Sequence, residues 1–151
     1  MSAATSEGKI RVRVARAGDA AELAGLCTQL GYPSSPAELA ERLEQIFGDP
    51  DHVVLVAEPD AGRVAGFLHG FCGIALETGR RAEVLGLVVD AGARGQGIGR
   101  SLVAEAERWA QSKGHRALTV RCNVVRTAAH AFYEGLGFEC TKTQKHYRKK
   151  L

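Results

Sequence analysis

Three glycines and two arginines fall within seven residues, Arg94-Gly95-Gln96-Gly97-Ile98-Gly99-Arg100. After them, apolar residues recur at Ile98, Leu102, Val103, Ala106, Trp109 and Ala110, the three-and-four spacing of an amphipathic helix. A helix that opens from a glycine loop leaves its first N–H groups without intrahelical partners, and the positive end of its dipole lies there too. Glycine lets a ligand approach the main chain closely, and Arg94 and Arg100 add charge. The segment reads as a cradle for phosphate.

Two better-known glycine loops do not fit these letters. A dinucleotide fingerprint, G-x-G-x-x-G, started at Gly95 or Gly97 would put its third glycine on Arg100 or Leu102. A nucleotide-triphosphate loop started at Gly92 reaches Gly97, but Ile98 and Gly99 stand where Lys and Ser or Thr are required. The pattern that does match is R-x-x-G-x-G, from Arg94 through Gly97 to Gly99. A second segment, A-A-H-A-F-Y-E-G-L-G-F, runs from Ala128 to Phe138.

In these two segments, taken in this order, the chain resembles the GNAT superfamily of acyl-CoA-dependent N-acyltransferases. The resemblance implies that the amides of the loop Arg94, Gly95, Gln96, Gly97, Ile98, Gly99 and Arg100 hold the pyrophosphate of coenzyme A. It implies too that the end of the preceding strand, Leu87, Val88 and Val89, pairs its backbone with the pantetheine arm. Asn123, expected at the end of the next strand, would bond the amides of that arm. Gly86 allows a bulge that would splay the two strands and open a slot between them.

Acyl transfer to an amine needs the nitrogen neutral, whereas an alkyl ammonium titrates near ~10.4. Glu83, eleven residues ahead of Arg94, has an offset similar to that of the catalytic glutamate in the histone acetyltransferase branch. Burial in an apolar strand penalises an ionised carboxylate and suits it to accept a proton near neutral pH. A solvent-facing glutamate, or one in a salt bridge to Arg81, is the plain structural alternative, and His69 is the reserve base. Tyr133, just before L-G-F, matches the family's general acid for the departing thiolate, with packing in the core as its alternative role. A backbone N–H around Val88 or Val89 would serve the oxyanion.

These residues need a scaffold. At 151 residues, 45% apolar and 25% charged, the chain has the composition of one globular domain. A net charge of +3 demands no nucleic-acid partner. No apolar run reaches membrane-spanning length, so no membrane partner and a cytoplasmic location are expected. Cys27, Cys72, Cys122 and Cys140 are scattered, as are the five histidines, which supports neither a disulfide framework nor a metal site.

Read in order, Ile10–Val14 alternates as an edge strand. Asp19 with Glu22, and Ser35 with Pro36 and Glu38, have the spacing of capped helix starts. His52–Glu58 and Arg63–Cys72 form a hairpin across Pro59-Asp60-Ala61-Gly62. A loop covers Gly73–Arg81, and a strand covers Ala82–Val89. The cradle helix follows, ending at Gly114, then a parallel strand over Arg116–Cys122. A short helix at Ala128–Leu136 and a final pair of short strands through Tyr147 complete the chain.

The expected fold is a single-domain α/β GNAT-like architecture, a mixed twisted sheet of six to seven strands with helices on both faces, over residues 10–151. Residues 1–9 are expected to be a flexible tail. The expected function is acetyl transfer from acetyl-CoA to a primary amine by direct attack in a ternary complex, without metal. The acceptor is open among small amines, amino acids, antibiotics and protein amines, and a homodimer is open too. The competing class is a non-catalytic acyl-CoA sensor.

Overall fold

The computed structural model describes residues 10–60 and 62–151, so the expected tail at residues 1–9 and the turn residue Ala61 lie outside the described residues. The chain divides into two compact units, Met1–Val120 and Arg121–Leu151.

The first unit holds a mixed five-stranded sheet in the order β1-β2-β3-β4-β5. The strands are β1 (Arg11–Val14), β2 (His52–Glu58), β3 (Gly66–Ala75), β4 (Gly79–Val89) and β5 (Leu118–Val120). Neighbours from β1 to β4 run antiparallel, while β5 lies parallel to β4. The helix between β4 and β5, α3 (Ile98–Ser112), makes the expected βαβ crossover. Helices α1 (Ala20–Leu30) and α2 (Pro36–Phe47) come before β2.

Strand alternation sorts the side chains into two faces. Val54, Val56, Phe67 and Val88 pack with Leu23 and Leu26 of α1 and with Leu39 and Leu43 of α2. The opposite face receives α3: a Cβ on Gly66 would come within 3.0 Å of Ile98 Cγ2, and one on Gly70 within 3.1 Å of the Trp109 ring. Ile98, Leu102, Val103 and Ala106 are buried along that contact. Each fully buried Leu or Ile contributes about 1.5–3 kcal/mol. Helices thus cover both faces.

A buried charge cluster fixes the outer strand. The Arg13 guanidinium donates to Glu58 Oε1 at 2.7 and 2.9 Å and to both Asp19 oxygens at 2.8 Å. It holds the Asp19 carboxyl below its ordinary value, mainly through those hydrogen bonds. Removing one partner would leave a buried charge uncompensated, at a cost of about 3–5 kcal/mol. The cluster also overturns the expected cap of α1. Asp19 ends a 3₁₀ turn (Ala17–Asp19) and accepts from Arg13 and Arg16 N–H, and Glu22 accepts from Val64 N–H. The cap at Ser35 is as expected: its hydroxyl oxygen accepts from Glu38 N–H at 3.1 Å, with Pro36 at the first helical position.

Several expectations need correction. The sheet has five strands, not six to seven, among the described residues. The final strands through Tyr147 do not form, because Glu139–Leu151 is exposed throughout and has no alternating apolar face to bury. The loop expected at 73–81 is mostly strand: β3 and β4 stay paired as far as Ala75↔Gly79, where backbone pairing prevails over the charge and glycine of the sequence. Strand β5 is also shorter than expected, and Asn123 lies three residues beyond its end.

The second unit holds α4 (Thr127–Gly135), which closes with Gly137 in a left-handed conformation at φ 92°.

Candidate active site

Strand β4 carries the first part of the site. Its register with β3 shifts between His69 and Gly70: Gly70 pairs with Val84 and His69 with Gly86, leaving Leu85 as the extra, bulged residue. On the other edge, β5 pairs with β4 only at Ala82, Glu83 and Val84. From Leu85 to Val89, β4 therefore has no ladder partner on that edge among the described residues. A bulge and the end of a parallel ladder thus coincide at Leu85.

The same strand presents Glu83 on the α1/α2 face, opposite Phe71. Glu83 is only 6% exposed, and its Oε2 lies 3.9 Å from Arg81 Nε, so the ion pair expected as its structural alternative is present at long range. On the next rung of this face is His69, opposite Gly86. His69 Nε2 lies 2.9 Å from His52 Nδ1, and Asp49 Oδ2 lies 3.8 Å from His52 Nε2. Burial, with a smaller contribution from His52, pushes His69 down to about 4. Its imidazole is neutral at neutral pH. The His52–His69 contact is absent from the sequence reading, since it is a diagonal cross-strand pair visible only once the β2–β3 register is known.

Beyond Val89, Asp90 organises the turn into the cradle. Its N–H donates to Ala65 C=O at 2.8 Å, and its carboxylate accepts from Gly92 N–H, Gln29 Nε2 and Arg63 Nη2. Gln29 Oε1 in turn accepts from Ala91 N–H at 3.0 Å, tying α1 to the loop. The Gln29 hydrogen bond is the main cause holding the Asp90 carboxyl below its ordinary value. Gly95 and Gly97 follow with φ of 81° and 82°, the left-handed region that side-chain-bearing residues seldom adopt. Gly97 is the N-cap of α3 and offers no side chain to cap it, so the N–H groups of Ile98, Gly99 and Arg100 have no hydrogen-bond partner among the described residues. Arg94 and Arg100 are exposed beside them.

These features fit coenzyme A. The uncapped amides, the positive dipole end and two arginines suit a pyrophosphate, and the open edge of Leu87–Val89 suits a peptide-like arm. No group of three or more His, Cys, Asp or Glu among the described residues could hold a metal ion. No helix among them is long and apolar enough to cross a membrane.

A cavity of about 430 Å³ opens on the α1/α2 side of the bulge, with Gly86, Leu85 and His69 in its wall. It lies wholly within the first unit.

Asn123 and Tyr133 belong to the second unit. Asn123 Oδ1 accepts from Val125 N–H at 3.1 Å, and its backbone C=O is 2.8 Å from His130 Nε2. Tyr133 is half-buried and makes edge-on ring contacts with Phe132 and Phe138. Burial is the largest cause that pushes its hydroxyl up to about 12.

Comparison with known proteins gives the family. Residues 19–138 match the family described as "Acetyltransferase (GNAT) family". An aminoglycoside N(6')-acetyltransferase type 1 from Stenotrophomonas maltophilia is 28% identical over 144 residues, covering 93% of each chain. A mycothiol acetyltransferase from Mycolicibacterium vanbaalenii is 33% identical over 117 residues, covering 74% of this chain and 37% of that one. Among solved structures, the aminoglycoside N-acetyltransferase AAC(6')-Iy in complex with CoA superposes with a TM-score of 0.84 at 22% identity, covering 94% of this chain and 95% of that one. A glucosamine-6-phosphate N-acetyltransferase from Arabidopsis thaliana superposes with 0.81 at 23% identity, covering 94% and 99%. The chain belongs to the GNAT acetyltransferase family and is an acyl-CoA-dependent N-acetyltransferase.

Proposed function

We propose that the protein acetylates a primary amine by direct attack within a ternary complex, and that Glu83 and Tyr133 serve as base and acid. The observation that carries this reading is the coincidence on β4 of three features: the ladder to β5 ends at Val84, the strand bulges at Leu85, and Leu87–Val89 lead on to the uncapped start of α3. Acetyl-CoA, when bound, supplies the activated thioester. Leu87, Val88 and Val89 align it through their main-chain groups, and the N–H groups of Gly97–Arg100 neutralise its phosphates. Glu83 takes the proton of the incoming ammonium, and His69, uncharged on the adjacent rung, is the reserve acceptor. An N–H of Val88 or Val89 stabilises the oxygen on which charge gathers. Tyr133 keeps its proton at neutral pH and donates it to the departing thiolate, while Asn123 is assigned to the amides of the cofactor arm.

The test is release of free thiol from acetyl-CoA, measured with and without a panel of primary amines. Amine-dependent release supports the reading. Thermal stabilisation by acetyl-CoA with no release in the presence of any amine would make the protein an acyl-CoA sensor instead.

A further inference from the structure

The cavity beside the β4 bulge is chemically one-sided. Most of its wall is hydrocarbon, from residues such as Leu23, Leu39, Leu43, Ile46, Val54 and Phe67, and no carboxylate among the described residues lines it. Its polar contributors are few. His69 is held neutral by burial. Gln45 and Tyr32 stand exposed at the rim. Arg42, the single formally charged side chain among the described residues of the wall, donates to Ser34 Oγ at 3.1 Å and pairs with Glu38 at 3.3 Å, and Glu38 is not part of the wall. At about 430 Å³ the space is of the size that encloses a small organic ligand.

Gly86 and Leu85 belong both to this wall and to the bulge at which the open edge of β4 begins. A ligand in the cavity thus has one end at the bulge, one rung from Glu83. We infer that this cavity is the acceptor site and that it selects primary amines with an apolar alkyl or aryl body, against polycations such as aminoglycosides. The inference rests on the transfer proposed above. An apolar body gains from leaving water here, and its one ammonium is placed at the bulge, where Glu83 takes its proton. A polycation would bring several ammonium groups into a wall with no carboxylate to pair them and with Arg42 to repel them.

The experiment compares 2-phenylethylamine with kanamycin, using thiol release from acetyl-CoA and, separately, calorimetric binding of each amine to the protein saturated with coenzyme A. The expected kcat/KM for 2-phenylethylamine exceeds that for kanamycin by roughly 100-fold or more, with binding in the same order. Gln45→Glu changes an exposed rim residue isosterically and places a carboxylate in the wall. It should narrow the ratio by about tenfold, chiefly by improving kanamycin. Kanamycin binding or reacting as well as 2-phenylethylamine, or an unchanged ratio in Gln45→Glu, would overturn the inference and leave the acetyl transfer intact. Selective binding of 2-phenylethylamine with no thiol release would uphold the apolar site and sink the transfer.

Discussion

At the scale of single residues, Glu83, His69 and Tyr133 each make a separable prediction. Glu83→Gln preserves the shape of the side chain and removes its basicity. The maximal rate should fall by about 10² to 10⁴ near neutral pH and recover partly at high pH, where the amine deprotonates unaided, while cofactor affinity survives. A pH–rate profile that matches wild type would transfer the role to His69. His69 itself predicts an acid sensitivity. Its folded value is about 4 against an ordinary 6.5, so its contribution to stability is complete above pH 6.5 and is lost as pH falls towards 4, where only the unfolded chain gains the proton. Urea midpoints at pH 7 and pH 5 should therefore differ more for wild type than for His69→Asn, and an equal difference would contradict the assignment. Tyr133→Phe deletes one hydroxyl from a ring that still packs on Phe132 and Phe138. Turnover should fall by about 10² with little change in acetyl-CoA affinity, because a proton donor acts when charge develops on sulfur. A matching loss of affinity would make it a positioning residue.

The elements carry the cofactor. Helix α3 starts on a glycine at φ 82°, so Gly97→Val both strains the backbone and puts a branched side chain at the open amides. Two charge-assisted hydrogen bonds at about 1.5–3 kcal/mol each correspond to at least a hundredfold loss of affinity. Calorimetry that finds the folded variant binding acetyl-CoA as wild type does would remove the cradle from the account. This element was legible in the sequence because its cause is local: glycines, arginines and a three-and-four stripe lie within twenty residues of one another. The end of the β3–β4 hairpin was not. Nothing in Gly73–Arg81 alternates clearly, and its strand character comes from pairing across the hairpin, as between Ile74 and Arg80. Asp19 misled for a similar reason. Its spacing to Glu22 fits a cap, but Arg13, which claims it, is six residues away on another element.

For the molecule as a whole, the two motif segments fall on different compact units, the cradle with Glu83 on the first and Tyr133 with Asn123 on the second. The family match spans both. Fold class and cofactor were readable because they rest on main-chain conformation that glycines and helix starts announce. The cavity beside the bulge was not readable from its residues, since Leu23, Leu43 and Phe67 look like any core residues until the sheet and two helices leave a gap between them. The account's central claim is that one chain holds acetyl-CoA and amine together and transfers the acetyl group directly. Initial rates of labelled-acetyl transfer, with both substrates varied, test it most directly. The account predicts intersecting double-reciprocal lines, label in the amine and none on the protein. Parallel lines with acetyl groups trapped on the protein would show a covalent intermediate and contradict it.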